Sequence, residues 1–140
     1  MMIRKKLAVL MLAGVTCLAS GCGNVVKDGT EALGEGRYDA AETAFEEATT
    51  NENKEVAADG YQGLGMTYYE QKEYDKALEA FQAGKQIEGN SLMQTLSFNE
   101  IVAYEYLQDY QKAAVLLKAY LQNYPDDQAA IREQQFLSTR

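Results

Sequence analysis

A repeated segment is the feature that most restricts how this chain can fold. Tyr38, Tyr74 and Tyr110 lie 36 residues apart, and an alanine follows three positions after each of them. Seven positions after each tyrosine the chain carries a large apolar residue: Phe45, Phe81 and Leu117. A fixed interval in this range is typical of repeat arrays, in which one unit cannot bury its apolar face alone and stacks on the next.

The apolar spacing inside each unit predicts two helices. In the middle unit, apolar or small residues at helical spacing form two sets: Tyr61, Leu64, Gly65 and Tyr68, then Tyr74, Ala77, Leu78 and Phe81. Spacing of i, i+3, i+4 and i+7 places each set on one helix face. Polar residues 71–73 separate the sets. The single proline among 140 residues also favours helices over a loop-rich β design.

The pattern resembles the tetratricopeptide repeat. The middle unit carries the residues that this family prefers, with Gly84 and Gly89 as departures. The resemblance implies an all-α, right-handed superhelix of three helix pairs at about 22–55, 58–91 and 94–127, followed by a capping helix at about 126–138. Small residues such as Gly65 would let helices approach closely, with Phe45, Phe81 and Leu117 filling the space between them.

Local signals refine this expectation. Asp126 and Asp127 can cap the final helix, and Ser91 with Gln94 fits a capping box at the start of the third unit. Ile131, Phe136 and Leu137 would cover that unit, leaving polar residues such as Arg140 outside. We expect close packing at Gly65 and a locally softened helix at Gly60, since glycine costs about 1 kcal/mol in a helix interior.

The first 22 residues are typical of a targeting segment. A basic start at residues 4–6 precedes an apolar run from Leu7 to Leu18, which is too short to span a bilayer. The run ends before Cys22 and resembles a bacterial lipoprotein signal, although Ala19 stands where that family prefers leucine. The resemblance implies removal of residues 1–21 and acylation of Cys22, palmitate included. The alternative is an ordinary signal peptide cut near Ala19.

Charge and composition exclude several activities. The chain has 13 Lys+Arg, 21 Asp+Glu and no histidine, for a net charge of −8. Without Arg4, Lys5 and Lys6, 10 basic residues face 21 acidic ones, a net charge of −11. Such a chain repels nucleic acid and anionic lipid headgroups, and it lacks a histidine base or metal ligand. We therefore predict no enzymatic activity, no cofactor, no metal and no nucleic acid partner.

The family resemblance implies a peptide groove lined by the first helix of each pair. Carried onto this chain, the groove positions are Val26, Thr30, Leu33, Gln62, Met66, Tyr69, Glu70, Phe98, Asn99, Val102, Glu105 and Tyr106. Tyrosine and methionine suit protein contacts. Of the positions at which some family members clamp a peptide carboxylate, only Asn99 fits. We therefore expect a neutral or basic peptide or helix as the partner, while some of these residues could instead pack against neighbouring helices.

Two functional hypotheses follow. The first is a lipid-anchored protein on the extracytoplasmic face of a membrane, the outer membrane where the source has two, which binds another envelope protein in the groove. The alternative is an assembly subunit that uses its outer helical faces within a multi-protein envelope complex, similar to tetratricopeptide lipoproteins of outer-membrane assembly or pilus biogenesis. The sequence does not give the oligomeric state.

Overall fold

The computed structural model describes residues 23–140, so the predicted signal segment and Cys22 lie outside the described residues. Across residues 23–140 the chain forms helices and no strand. Its elements are α1 (Gly23–Gly34), α2 (Tyr38–Thr49), α3 (Lys54–Glu70), α4 (Tyr74–Lys85), α5 (Met93–Tyr106), α6 (Tyr110–Asn123) and α7 (Gln128–Leu137). Each helix packs on the next, and α1 also contacts α3. The predicted all-α stack of three helix pairs with a terminal helix is confirmed.

The turn inside each pair recurs at the same 36-residue interval. Its central residue adopts the left-handed conformation in every pair: Gly36 (φ 72°), Lys72 (φ 64°) and Gln108 (φ 64°). In the second pair, the N–H of Lys72 donates to the carbonyl of Tyr69 at 2.9 Å, and the N–H of Glu73 donates to that of Tyr68 at 2.8 Å. These bonds satisfy the last carbonyls of α3 and reverse the chain within three residues.

Helix α3 begins earlier than the predicted second unit. The side chain of Asn53 accepts the N–H of Glu55 at 3.0 Å, which starts the helix at Lys54 rather than near residue 58. An asparagine in this position satisfies a backbone donor that the first turn leaves unpaired.

Of the two predicted helix caps, one is confirmed and one is wrong. Asp127 accepts the N–H groups of Ala129 and Ala130 at 2.9 and 3.2 Å and caps α7. Helix α5 starts at Met93 with Leu92 as its N-cap and has no side-chain cap. Ser91 lies one residue earlier and donates its N–H and its hydroxyl to the Glu55 carboxylate, at 3.1 and 2.8 Å. The contact between repeats replaces the predicted capping box.

The predicted apolar wedges occupy the core. Phe45, Phe81 and Leu117 are only 1–2% exposed. A Cβ atom added to Gly63 would lie 2.2 Å from the Phe45 ring, and one added to Gly65 would lie 2.2 Å from the Phe81 ring. The glycines therefore let each ring lie directly against the backbone of α3.

Gly60 has a packing role that the sequence did not predict. A Cβ atom there would lie 2.7 Å from the backbone nitrogen of Thr49 and 2.9 Å from the carbonyl carbon of Ala48. The end of α2 thus packs directly on α3, so close helix approach requires the glycine, and the predicted local softness at Gly60 stays a prediction.

Helix α7 closes the end of the stack. Leu137 and Ala130 are buried against α6, and the Phe136 ring lies edge-on to Tyr110 with centroids 6.2 Å apart. The Arg140 guanidinium lies 4.6 Å from the centre of the Phe136 ring, so this predicted outer residue also covers an aromatic face. No helix within residues 23–140 combines the length and the hydrophobicity that crossing a bilayer requires.

Candidate functional site

The first helices of the three pairs share one side of the stack, which we call the inner surface (α1, α3 and α5). Contacts between α1 and α3 join the first two. Between α3 and α5, the amide nitrogen of Asn99 lies 4.0 Å from the sulfur of Met66, and the rings of Tyr69 and Tyr106 are in contact. The inner surface therefore brings together residues from all three repeats.

The predicted groove residues divide by burial. Five of them belong to the core: Val26, Met66, Phe98, Asn99 and Val102. Glu70 is exposed, and the others are half-buried: Thr30, Leu33, Gln62, Tyr69, Glu105 and Tyr106. Side chains that a partner can reach therefore concentrate near the carboxyl ends of α3 and α5. The groove stays a prediction as a binding site, with these ends as its accessible part.

Three tyrosines gather at those helix ends. The centroids of the Tyr69 and Tyr106 rings are 5.0 Å apart at nearly a right angle. Tyr74, at the start of α4, lies 4.8 Å from Tyr106 and 5.5 Å from Tyr69. Such ring pairs contribute about 0.5–1.5 kcal/mol beyond the burial of their area. We call this cluster the tyrosine triad; it holds α3, α4 and α5 together and keeps part of each ring accessible.

The hydroxyls of Tyr69 and Tyr74 remain protonated over the physiological range. Burial raises the pKa of Tyr69 far above its usual value, and the hydrogen-bonded Tyr106 hydroxyl raises it further. Burial, Tyr106 and the Glu70 carboxylate likewise raise the pKa of Tyr74. Tyr69 and Tyr74 thus offer neutral hydroxyl groups and aromatic surface rather than a phenolate nucleophile.

The Glu70 carboxylate borders the triad. Glu70 directly follows Tyr69 and is exposed, and Glu105 directly precedes Tyr106 and is half-buried. Aromatic faces next to carboxylates attract ammonium and guanidinium groups, with cation–π contacts contributing about 0.5–1 kcal/mol at exposed sites. Within residues 23–140 no three histidine, cysteine or acidic side chains are placed to bind a metal ion. The site therefore suits contact and recognition.

Comparison with known families assigns the fold. Two family models described as tetratricopeptide repeat match residues 27–91 and 98–127, which reach from α1 through α6. The chain belongs to the tetratricopeptide-repeat family. No curated protein matches it. Tetratricopeptide repeats are in general protein–protein interaction modules, and the repeats of this chain assign it to that class.

The tetratricopeptide stack also contains a buried ion pair that the sequence analysis missed. Glu100 on α5 is 6% exposed, and its carboxylate accepts from the Lys85 ammonium at 2.5 Å and the Gln82 amide at 2.9 Å. Gln82 also lies 3.2 Å from the Tyr104 hydroxyl. These bonds fix α5 on α4 and so set where the inner surface of the third repeat lies.

Tyr74 was also missed as a site residue, because its place in the repeat pattern predicts packing alone. Its distance along the chain from Tyr69 could have indicated that the two rings meet. Tyr69 and Tyr74 flank the tight turn of the second pair, and a chain reversal at Lys72 brings such flanking residues together. Each tetratricopeptide turn in this chain therefore places the end of one helix beside the start of the next.

Proposed function

We propose that this tetratricopeptide-repeat protein is lipid-anchored at Cys22 outside the cytoplasm and holds a segment of another envelope protein on its inner surface. The anchor rests on the sequence: a basic start, a short apolar run and small residues before Cys22, in the order of a lipoprotein signal. With three basic residues gone, residues 22–140 carry a net charge of −11, so covalent lipid and not a basic patch would hold the domain on a membrane.

The tyrosine triad is the observation that supports binding on the inner surface. Tyr69, Tyr74 and Tyr106 come from three helices, remain partly accessible and lie beside Glu70. Tyrosine provides a large contact area at a small cost in side-chain entropy. The neighbouring carboxylate favours a neutral or basic partner segment, whose lysine or arginine side chains would lie over the rings.

The proposal is tested in two steps. Crosslinking on intact cells first captures and identifies the partner. Binding of that partner to the purified domain, started at Gly23, is then measured for Tyr69→Ala and Tyr106→Ala, with Val115→Ala on the exposed side of α6 as the matched control. We expect at least a tenfold loss for the tyrosine variants, about 1.4 kcal/mol or more, and no change for the control. Equal binding by all variants would place the contact elsewhere.

The test uses Tyr106 rather than Phe98 because burial separates the two residues. Phe98 is 7% exposed and its ring lies 5.7 Å from that of Tyr120, so Phe98→Ala would open a cavity in the core. Loss of binding in that variant would report loss of packing. Tyr106 is half-buried and lies at the end of α5, where truncation changes the accessible surface more than the core.

The lipid anchor has its own test. In Cys22→Ser cells, the chain should lose incorporated palmitate and move from the detergent phase to the aqueous phase. Cys17→Ser is the matched control, because that residue lies inside the segment predicted to be removed. Retained palmitate and retained detergent partitioning in Cys22→Ser would contradict the anchor while leaving the binding surface intact.

One observation favours the alternative of assembly through the outer faces. Val115 on α6 is 62% exposed, and among residues 23–140 it is the one large hydrophobic residue whose side chain is exposed. Single exposed apolar residues are common on soluble proteins, so Val115 alone outlines no interface. The alternative predicts that Val115→Ala weakens capture while Tyr106→Ala does not, the reverse of the result expected for the inner surface.

A further inference from the structure

We infer that the helical stack is mounted on the membrane without a spacer, so that its first repeat stays against the lipid surface and α7 is held away from it. The inference rests on the proposed acylation of Cys22. It concerns the place where folded structure begins relative to that residue, which is independent of the groove.

The first described helix lies directly after the proposed anchor. Helix α1 starts at Gly23, and Val26 is already 1% exposed and packed in a core cluster with Phe45. From Cys22 to Val26 the chain spans four residues, at most about 14 Å even when fully extended. Acyl chains on Cys22 would therefore hold the first core residue within about 14 Å of the residue that enters the bilayer.

Electrostatics does not provide this placement. Asp28 and Glu31 are exposed on α1, and α2 contains no basic residue while Asp39, Glu46 and Glu47 are exposed on it. An acidic repeat is repelled by anionic headgroups within a Debye length of about 8 Å at physiological salt. A long spacer would let the first repeat move away from such a surface, whereas the direct start of α1 keeps it there.

The stack carries this orientation to the binding surface. Helix α1 contacts α3, so the second repeat, to which Tyr69 belongs, follows directly on the mounted repeat. The chain runs from there through α5 and α6 to α7, which packs on α6 at the far end. The tyrosine triad joins the second repeat to the third, so the partner segment that it reaches would lie between the mounted first repeat and α7.

Energy transfer from labelled positions to a lipid dye tests the mounting. After acylation of Cys22 and removal of Cys17, the chain has no other cysteine, so a single dye can be attached in Glu31→Cys on α1 or Gln134→Cys on α7. Both original side chains are exposed. The full-length lipidated protein is reconstituted in phosphatidylcholine vesicles that contain an acceptor-labelled lipid, and both variants are checked for native helix content.

We expect transfer from position 31 to exceed transfer from position 134 several-fold. The matched control inserts a 20-residue Gly/Ser segment between Gly23 and Asn24, whose mean end-to-end distance of about 25 Å should remove most of that difference. Equal transfer from both positions in the native-length chain, with the protein still bound to the vesicles, would overturn the mounting and leave the anchor standing. Failure of the protein to bind the vesicles would overturn both.

Discussion

The second and third repeats fill the same space with different residues. In the second, the Phe81 ring lies against the backbone at Gly65; in the third, the residues 36 positions later are Leu117 and Ile101, both 1% exposed in one core cluster. A large ring facing a glycine has been replaced by two branched side chains of intermediate size. The comparison shows that one repeat fills the space between its helices with a large residue facing the smallest one, and the other fills it with two residues of intermediate size.

A second difference of this kind between the two repeats lies further along the helices. Gly84 on α4 lies close to Leu96 and Tyr61, and its counterpart in the third repeat is Tyr120 on α6. The Tyr120 ring lies 5.7 Å from Phe98 and 4.8 Å from Tyr124, and its hydroxyl donates to Asp127 at 2.6 Å. In the second repeat the helices are thus held together by close approach of their backbones. In the third they are held together by aromatic side chains, and the Tyr120 hydroxyl is hydrogen-bonded.

The largest effect is expected when one member of the Gly65–Phe81 pair is replaced by its third-repeat counterpart. Gly65→Ile places a branched side chain where even a Cβ atom would lie 2.2 Å from Phe81, so we expect a loss of about 3 kcal/mol in the free energy of unfolding. Gly65→Ile combined with Phe81→Leu recreates the third-repeat pair and should recover at least half of that loss. Urea denaturation followed by circular dichroism measures both. Additive losses in the double variant would contradict compensation between the two positions.

Gly34→Ala serves as the control for that series. It lies at the end of α1, and a Cβ atom there meets nothing within 4 Å. We expect a change of less than about 1 kcal/mol, in the stabilising direction, because alanine favours the helix. A large loss at Gly34 would mean that substitution of any helical glycine destabilises the stack.

The next largest effect on stability is expected where α4 of the second repeat packs on α5 of the third. Lys85→Met would leave the carboxylate of Glu100, which is 6% exposed, with Gln82 as its polar partner on α4. Breaking a buried pair costs 3–5 kcal/mol, but the Lys85 side chain is 26% exposed, so we expect about 2 kcal/mol. Thermal and urea unfolding measure it, with the exposed Lys118→Met as the control. Equal stability of both variants would show that the junction does not depend on this ion pair.

A smaller, pH-dependent effect on stability is expected at the contact between Tyr120 and Asp127 at the end of the third repeat. Burial raises the pKa of Asp127, but hydrogen bonds from Tyr120, Ala130 and Ala129 outweigh it, so the pKa lies below the usual 3.8. The stabilisation is therefore fully present above pH 3.8 and is lost as the pH falls through the lowered pKa. Asp127→Asn should lose about 1 kcal/mol at pH 7 and show a shallower decline in acid.

Exposed Asp126→Asn is the matched control for the acid titration, since it changes the same charge one residue away. Unfolding free energies measured from pH 7 to pH 2 compare the three chains. If Asp126→Asn flattened the acid limb as much as Asp127→Asn, the effect would belong to net charge rather than to the contact with Tyr120.

The smallest expected effect compares the turns. Gly36, Lys72 and Gln108 share the left-handed conformation, which costs a residue with a side chain about 1 kcal/mol relative to glycine. Lys72→Gly should therefore stabilise the chain by up to about 1 kcal/mol, and Gly36→Ala should destabilise it by a similar amount. Differential scanning calorimetry detects both. A loss of stability in Lys72→Gly would show that the lysine side chain contributes more than the conformation costs.

The sequence predicted most where residues repeat. Helix pairs and the wedges Phe45, Phe81 and Leu117 follow from a fixed interval, and each helix needs only its own apolar spacing to be recognised. The failures involve contacts between repeats. Ser91 fits a capping box locally, but Glu55 from the preceding repeat competes for its donors, and Gly60 has no local sign of the backbone of α2 beside it.

The candidate site was predicted less completely than the fold. The family pattern identifies which helices form the inner surface, but it does not give the burial of each side chain, which depends on the spacing of neighbouring helices. Met66 and Asn99 face each other across α3 and α5 and are buried, while Tyr69 and Tyr106 meet nearer the helix ends and remain partly exposed. Glu100 was missed because its partner Lys85 lies on another helix.

Photocrosslinking in intact cells tests most directly whether the inner surface holds the partner. A photoreactive amino acid replaces Tyr106 on the inner surface in one strain and Val115, which is 62% exposed on α6, in another. We predict one defined adduct with an envelope protein from position 106 and none from position 115. An adduct from position 115 alone would contradict binding on the inner surface and assign the contact to the outer face.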